Sequence, residues 1–597
     1  MNMKKSVVLF AAFAALVSFN LRAEVVEIGT VDDFINNVVA DPSGDYILTA
    51  DLTFDKLAAI PEFSGTLDGD GHKITGTVSN FIGTVTGSIK NLTIYGLNFE
   101  HQRKASNSVA PMGGFALLLQ GGTISNCTLL DSSLTMQNGY SANVTDVGFG
   151  GIVAHVAGGS VSDCKIIGCT IGGRTSSTSQ LQPYGGIVGR VMTEDPVTIA
   201  RCQILNGETR DTTIAGCRVG GILGSATSLA NLRIEGCYNE GVISNAILEV
   251  GGIMGNCADS NTSKANIEIC GCTNVANITV ACGGAGGIFG YTYKGGRITI
   301  SDCVNRGNIS SRGNSGHGSA AGTGVGGIVG GYYSYIATGG IRINRCANYG
   351  SIFAATNSAG GIVGEYKNGN AATQCIISNS VNHASVTSSA YAGGLIGAAT
   401  HYESGYQISG DILVNCCQTG DVVADGELAA GGLIGYLFGN NKVTDNLHGV
   451  CQLGTVTAAN GSASPVIGST GHGTKAFTLD VAAAQIGGSA TCANGTVGII
   501  TGGAETTSTG AFTVNVDDAS FFANNTGTAY YDQAGVAKEL ALGKLADGAM
   551  TDGKAVKTLN AYALANGLVS WVQTAEYPDL SIFCTKPATS GLMVILR

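Results

Sequence analysis

Charge, proline and tryptophan are what this chain has least of. Charged residues make up 12% of its 597 positions, with 8 Pro, 8 His and one Trp. The 31 basic residues form no cluster and the net charge is −11, which argues against nucleic acid or an anionic membrane as partner. Beyond the N-terminus no glycine-free apolar segment reaches about 18 residues, so an integral membrane protein is not expected. The sequence has no His-Glu-x-x-His, no Gly-x-Ser-x-Gly, no phosphate loop and no Gly-Gly-x-Gly-x-Asp calcium repeat. No cofactor is expected and no metal site either. Cys270-Gly-Cys272 lacks Cys-x-x-Cys spacing, and the histidines stand singly.

The N-terminus reads as a secretory signal over residues 1–23. Lys4 and Lys5 form a basic start, Val7 to Phe19 an apolar stretch, and Leu21-Arg22-Ala23 a small-residue cleavage site. Export to the cell surface or the extracellular space, or to the periplasm, is the expectation. An exported chain with 18 cysteines suggests a disulfide framework, but their placement points elsewhere.

What the chain does have is glycine, 91 residues of it, much of it periodic. Nine near-copies of Gly-Gly-[Ile/Leu]-apolar-Gly begin at Gly150, Gly185, Gly220, Gly251, Gly286, Gly326, Gly360, Gly393 and Gly431, about 35 residues apart. That period marks a stack of small units. Helical arrays are excluded, because each glycine inside a helix costs about 1 kcal/mol relative to Ala. A second string precedes the glycine pairs, of form Ile-x-Ile-x-x-Cys-x-Asn-x-Gly-x-Ile. It reads Ile298, Ile300, Cys303, Asn305, Gly307, Ile309, and again Ile341, Ile343, Cys346, Asn348, Gly350, Ile352.

Alternate apolar residues mark short strands, and Asn-x-Gly reads as a turn with left-handed backbone. About three strands per repeat and no intervening helix predict an all-β fold, a right-handed parallel β-helix (a solenoid) of ten or more coils. Equivalent residues then form columns. The cysteine column is expected to be buried free thiols, although disulfides between coils stay open. The asparagine column is expected to be an amide ladder satisfying turn carbonyls, and the glycine pairs tight corners. Which residue of Gly-Gly-Ile-Val points inward is left open.

In these Gly-Gly-Ile-Val-Gly strings and Cys-x-Asn-x-Gly turns, and in Phe63-Ser-Gly-Thr-Leu-Asp-Gly-Asp-Gly-His72, the chain resembles bacterial surface proteins with GLUG-type repeats over residues 45–470. The resemblance implies a parallel β-helix on a secreted or surface-exposed, adhesin-like protein, and it brings no catalytic motif.

The organisation expected is an N-terminal cap and first coils over 24–110, repeats over 111–470, worn coils or a small β unit over 471–530, and a C-terminal cap over 531–597. A short helix over Val31 to Val39, with Thr30 as N-cap, is expected to cover the first coil. Another over Lys554 to Asn566, capped by Asp552 and closed by Gly567, is expected to face the stack through Val556, Leu559 and Ala563. Trp571 is expected to finish the core.

Two readings of function follow. In the first, the protein is an adhesin-like binding or scaffold module for a glycan or host surface protein, not an enzyme. Its contact edge is the tyrosines after the Gly-Gly strings: Tyr291, Tyr293, Tyr332, Tyr333, Tyr335, Tyr366, Tyr402, Tyr406 and Tyr436. The competing expectation is that these rings pack over the coils. In the second, the chain is a β-helix polysaccharide hydrolase or lyase. Gly316-His317-Gly318 with Arg342-Ile343-Asn344 is similar to polygalacturonase-like segments, but paired carboxylates are missing and Gly-His-Gly recurs at Gly471. The acidic doublets Asp32-Asp33 and Asp517-Asp518 read as a helix start and a solvated pair.

Overall fold

Each repeat closes one turn of a parallel β-solenoid. In the computed structural model one turn runs Asn231–Glu235, Tyr238–Asn239, Val242–Ala246, Val250–Gly251 and Met254–Cys257. These five segments, two more than the sequence suggested, fall into four sheets. Sheet 1 takes the Ile-x-Ile segments, sheet 2 the Cys-x-Asn segments, sheet 3 two segments per turn, and sheet 4 the segment after the glycine pair. The sheets hold 16, 15, 22 and 13 strands in that order, each strand beside its counterpart one repeat away. Sixteen rungs make a rod of about 70 Å. The structure describes residues 25–584 apart from 58, 79–80, 102–109, 137–146, 174–181, 258–263, 282, 294–295, 314–323, 335–338, 369–374, 402–407, 440–442, 474–475, 505–509, 524–527, 533, 541, 543–549, 551 and 576. The N-terminal signal, the tail after Cys584 and His317 lie outside the described residues.

The corners explain the motifs. Between sheets 1 and 2 one residue per turn is left-handed: Gly236, Gly271, Asp302, Arg345, Asn379 and Asn415 have φ of 60°, 63°, 55°, 52°, 47° and 56°. The left-handed position therefore precedes the cysteine column, whereas the Asn-x-Gly was expected to supply it. The asparagines themselves are extended, pair in sheet 2 and are fully buried. They form the expected amide ladder. Nδ2 of Asn274, Asn305 and Asn348 donates to Oδ1 of the next amide at 2.9, 2.8 and 2.7 Å, and to a carbonyl two residues on at 3.0, 2.9 and 2.9 Å. Gln418 extends the ladder, accepting from Asn382 at 2.7 Å.

The two strings are parts of one device. The first glycine of each pair ends a sheet 3 strand and the second turns the corner into sheet 4. A Cβ on Gly287 would lie 2.2 Å from the Gly327 carbonyl and 2.4 Å from Cγ of Asn305. From Gly221 to Gly432 the amide column thus packs against the second glycine of each pair, whereas Gly151 and Gly186 meet isoleucines. Both Ile328 and Val329 after the glycines are buried in the core. Such aliphatic side chains, several per turn, contribute about 1.5–3 kcal/mol each.

Among the sixteen cysteines whose side chains are described there is no disulfide. Burial raises the thiols of Cys164, Cys202 and Cys303 well above the ordinary range. In this column Sγ donates to backbone carbonyls; Cys303 reaches Ser301 at 3.2 Å.

At the N-terminus Val31–Asp33 and Phe34–Val39 form the expected helical turn, with Thr30 Oγ1 accepting from the Asp33 amide at 3.1 Å. Phe34 and Val38 are buried, and the Phe34 ring meets Phe54 edge-on at 5.4 Å. Residues 477–522 continue sheets 1 to 3 as worn coils, and Asp517 is spent on a turn, accepting from Ser520 at 2.6 Å.

The helix Lys554–Ala565 does not cover the end of the stack. It lies along the flank of sheet 2. Leu559 and Ala563, with Trp571 and Leu580, bury Ala347, Val381, Cys417 and Cys451. Asn415, on the left-handed corner, accepts from Trp571 Nε1 at 2.5 Å and donates to the Val569 carbonyl at 2.8 Å. Among the described residues no helix is long and apolar enough to cross a membrane.

Candidate functional site

The tyrosine edge divides once its register is known. Sheet 4 strands alternate inward and outward, so rings one residue apart go to opposite sides. Tyr332 and Tyr366 point into the core, 0% and 1% exposed, stacked at 6.1 Å. The Tyr332 hydroxyl donates to the Gly296 carbonyl at 2.6 Å and accepts from the Gly340 amide at 2.6 Å. Tyr332, with both hydrogen-bonding roles filled inside the rod, and Tyr366, buried against it, are core side chains and not the ligand contacts expected of them. Tyr335, Tyr402 and Tyr406 lie outside the described residues.

Tyr291, Tyr293 and Tyr333 lie on the outer side and cluster edge-on, with Tyr333 5.4 Å from Tyr291 and 6.2 Å from Tyr293. Lys367 lies over the Tyr333 ring at 4.5 Å, donates to its hydroxyl at 2.7 Å, and pairs with Glu365 at 2.7 Å. The Tyr333 hydroxyl in turn donates to Glu365 at 2.5 Å. Glu365 is 7% exposed, and burial raises its carboxyl above the ordinary range, opposed by Lys367 and Tyr333. Further along the same face Tyr436 stacks on Tyr391 at 4.4 Å and on Phe438 at 6.4 Å.

Toward the N-terminus the strip becomes polar. Arg218 pairs with Glu249 at 2.5 Å, Asn256 donates to Glu249 at 2.8 Å, and Ser225 donates to Asn256 at 3.2 Å. Ser225, Asn256, Tyr291, Gly331, Glu365, Ala398 and Tyr436 are one unbroken register column. The repeat therefore strings polar, aromatic, acidic and again aromatic groups along one line, at about 4.8 Å per rung. Glu365, Lys367, Tyr391 and Phe438 were missed from the sequence. For Glu365, Lys367 and Phe438 the signal was a fixed offset from the glycine pair, which puts each in a column with Tyr291 or Tyr333; Tyr391, two residues before its pair, carried no such signal.

A second surface feature is a shallow depression of about 560 Å³ where Gly236 and Gly271 leave the corner between sheets 1 and 2 without side chains. Its arginines are committed: Arg233 to Glu235 and Glu268 at 2.7 and 2.5 Å, Arg201 to Asp163 at 2.7 Å, and Arg345 to Asp302 at 2.6 Å. Arg342, from the polygalacturonase-like segment, sits in the outer register of sheet 1 between Thr299 and Ile376.

No protein-family model matches this chain, and no curated protein matches it. One solved structure, described as a "putative immunoglobulin A1 protease" from Bacteroides ovatus, is similar over 56% of this chain and 76% of its own, with 16% identity and a TM-score of 0.25. A likeness that loose says nothing of function here.

Proposed function

We propose that the protein works by display: an exported, adhesin-like β-solenoid whose sheet 4 edge binds an extended polymer, a glycan or a strand-like segment of a host surface protein. The carrying observation is a pair of outer-side aromatic clusters on this edge, Tyr291, Tyr293 and Tyr333 and, three rungs beyond Tyr333, Tyr391, Tyr436 and Phe438, in which Tyr291, Tyr333 and Tyr436 are 7–8% exposed. Two ring clusters set a fixed distance apart on one edge suit an extended ligand that reaches both. The resemblance to GLUG-type surface proteins supports the same reading.

One observation favours the alternative, a polysaccharide hydrolase or lyase. A carboxyl raised by burial, as in Glu365, is what a general acid needs. Its nearest carboxylate in the strip is Glu249, three rungs away, about 14 Å. Glycosidase pairs stand about 5–9.5 Å apart, so the two do not form one.

Glycan-array and host-matrix binding of the mature protein tests the display reading. Tyr436→Ala and Phe438→Ala should each weaken capture about tenfold or more. Absence of any ligand, together with cleavage of an acidic polysaccharide by the pure protein, would overturn it.

A further inference from the structure

The polar end of the sheet 4 strip is built around one carboxylate. Glu249, two residues before its glycine pair, is held from two directions. Nε of Arg218 pairs with its Oε2 at 2.5 Å, and Nδ2 of Asn256 donates to the same oxygen at 2.8 Å. Asn256 is fully buried and accepts in turn from Ser225 at 3.2 Å. Oε1 of Glu249 has only Nη2 of Arg218 at 3.5 Å, the outer limit of a hydrogen bond, so it keeps acceptor capacity. The Arg218 and Glu249 side chains are 12% and 13% exposed. One rung on, Asn256 is in register with Tyr291. An acceptor for hydroxyl protons thus stands next to aromatic rings that can take C–H groups.

Two observations narrow what can lie there. The charges are already paired. Among the described residues of the six sheet 4 strands from Met254–Cys257 to Ile434–Gly439, the carboxylate and ammonium groups are those of Glu365 and Lys367, which pair with each other. Arg218 pairs with Glu249, and Arg190, beside Ser225 in the preceding rung, has a partner of its own. The backbone is paired as well. Each of the six strands is bonded to a neighbour on both sides, so an extended peptide finds no sheet edge to join.

We propose, resting on the display reading, that the strip takes an uncharged pyranose glycan and that Glu249 sets its specificity by accepting hydroxyl protons through Oε1. The half-buried Tyr293, Tyr391 and Phe438 supply ring surface to the C–H side of the sugars. Asn256 to Tyr436 is five rungs, about 24 Å, so the ligand is a chain of several sugars. An acidic glycan would bring carboxylate or sulfate groups beside Glu249 and Glu365, and like charges set together oppose binding.

The test presents the full mature chain with a glycan array of neutral, uronate-bearing and sulfated oligosaccharides and with unglycosylated host-matrix peptides, and measures the hits by calorimetry. Neutral glycans should bind about tenfold or more tighter than their uronate counterparts. Their affinity should change less than about twofold between about 0.05 and 0.5 M salt, a reading that needs no variant to fold. Glu249→Gln, which removes the charge and keeps the shape, should narrow the neutral preference to about threefold or less. Tighter binding of an acidic glycan or a peptide, lost in Tyr436→Ala, would overturn this inference and leave the display reading standing. So would a steep salt dependence, or an unchanged preference in folded Glu249→Gln. Capture of no ligand of any class would overturn the display reading and this inference with it.

Discussion

If the amide ladder holds the turns in register, breaking one link in mid-stack should be expensive, and Asn305→Leu does this at nearly constant volume. Asn305 is buried, accepts from Asn274 at 2.9 Å, and donates to the Gly307 carbonyl at 2.9 Å and to Asn348 at 2.8 Å. Leucine strips an N–H of Asn274 and the Gly307 carbonyl of these partners. Asn348 Oδ1 keeps the Gly350 amide at 3.3 Å. Two buried groups left unpaired at about 1–3 kcal/mol each give a loss of about 2–6 kcal/mol. Asn308→Ala is the control. Its side chain likewise makes more than one bond, accepting from the Ser351 amide at 2.9 Å and from its hydroxyl at 2.8 Å, but at the surface. Water replaces those bonds, so the cost should stay below about 1 kcal/mol. Stacked repeats can open piecewise, so urea unfolding by far-UV circular dichroism should be paired with hydrogen exchange at residues 304–307. If Asn305→Leu costs no more than Asn308→Ala, the ladder is not what holds the turns in register.

Cys303→Ser should change stability by no more than about 1 kcal/mol, because Ser380 already fills the same slot, donating to the Ser378 carbonyl at 2.7 Å and accepting from the Cys346 amide at 3.1 Å; thermal melts check this. Among the sixteen described thiols, maleimide should label the half-buried Cys270 and Cys492 first and the buried column only in denaturant, read by peptide mass spectrometry. Asn415→Ala should loosen the C-terminal helix by about 1–3 kcal/mol; Trp571, the only tryptophan, should then unfold at lower urea by fluorescence while the dichroism midpoint moves little. Glu365 binds its proton more tightly folded than unfolded, so its ionisation destabilises the fold as pH rises past the unfolded value. The stability of Glu365→Gln relative to wild type should therefore rise from pH 4 to 7 in urea titrations, and a flat difference would contradict the burial argument.

Much of the rod was legible because it is written in columns. A residue recurring every turn at the same offset must meet its own copies, so the cysteine and asparagine columns and the glycine corners followed from spacing. Facing was harder. Tyr332 and Tyr333 look alike in sequence, yet one is core and the other surface, because the corner after Gly327 sets the phase of the strand and its geometry is not local. Glu365 and Lys367 were hidden for the same reason.

The C-terminal helix shows where such a signal can be found. Its own residues, Leu559 and Ala563, demand an apolar partner but do not say which. The answer lies on the receiving side. In sheet 2 the outward residue beside the amide column is Tyr238, then Thr273, then Val304, and from there Ala347, Val381, Cys417 and Cys451. A column that turns small and apolar on its solvent side over consecutive turns is a surface prepared for burial. The helix and Trp571 cover that surface. Asn379 and Asn415 sit at the corner beside it, and their Oδ1 atoms accept from the Val569 amide at 3.0 Å and from Trp571. Both the apolar patch and its polar border are therefore encoded in the repeats, and reading the outward columns for loss of polarity would have placed the C-terminal segment on the flank.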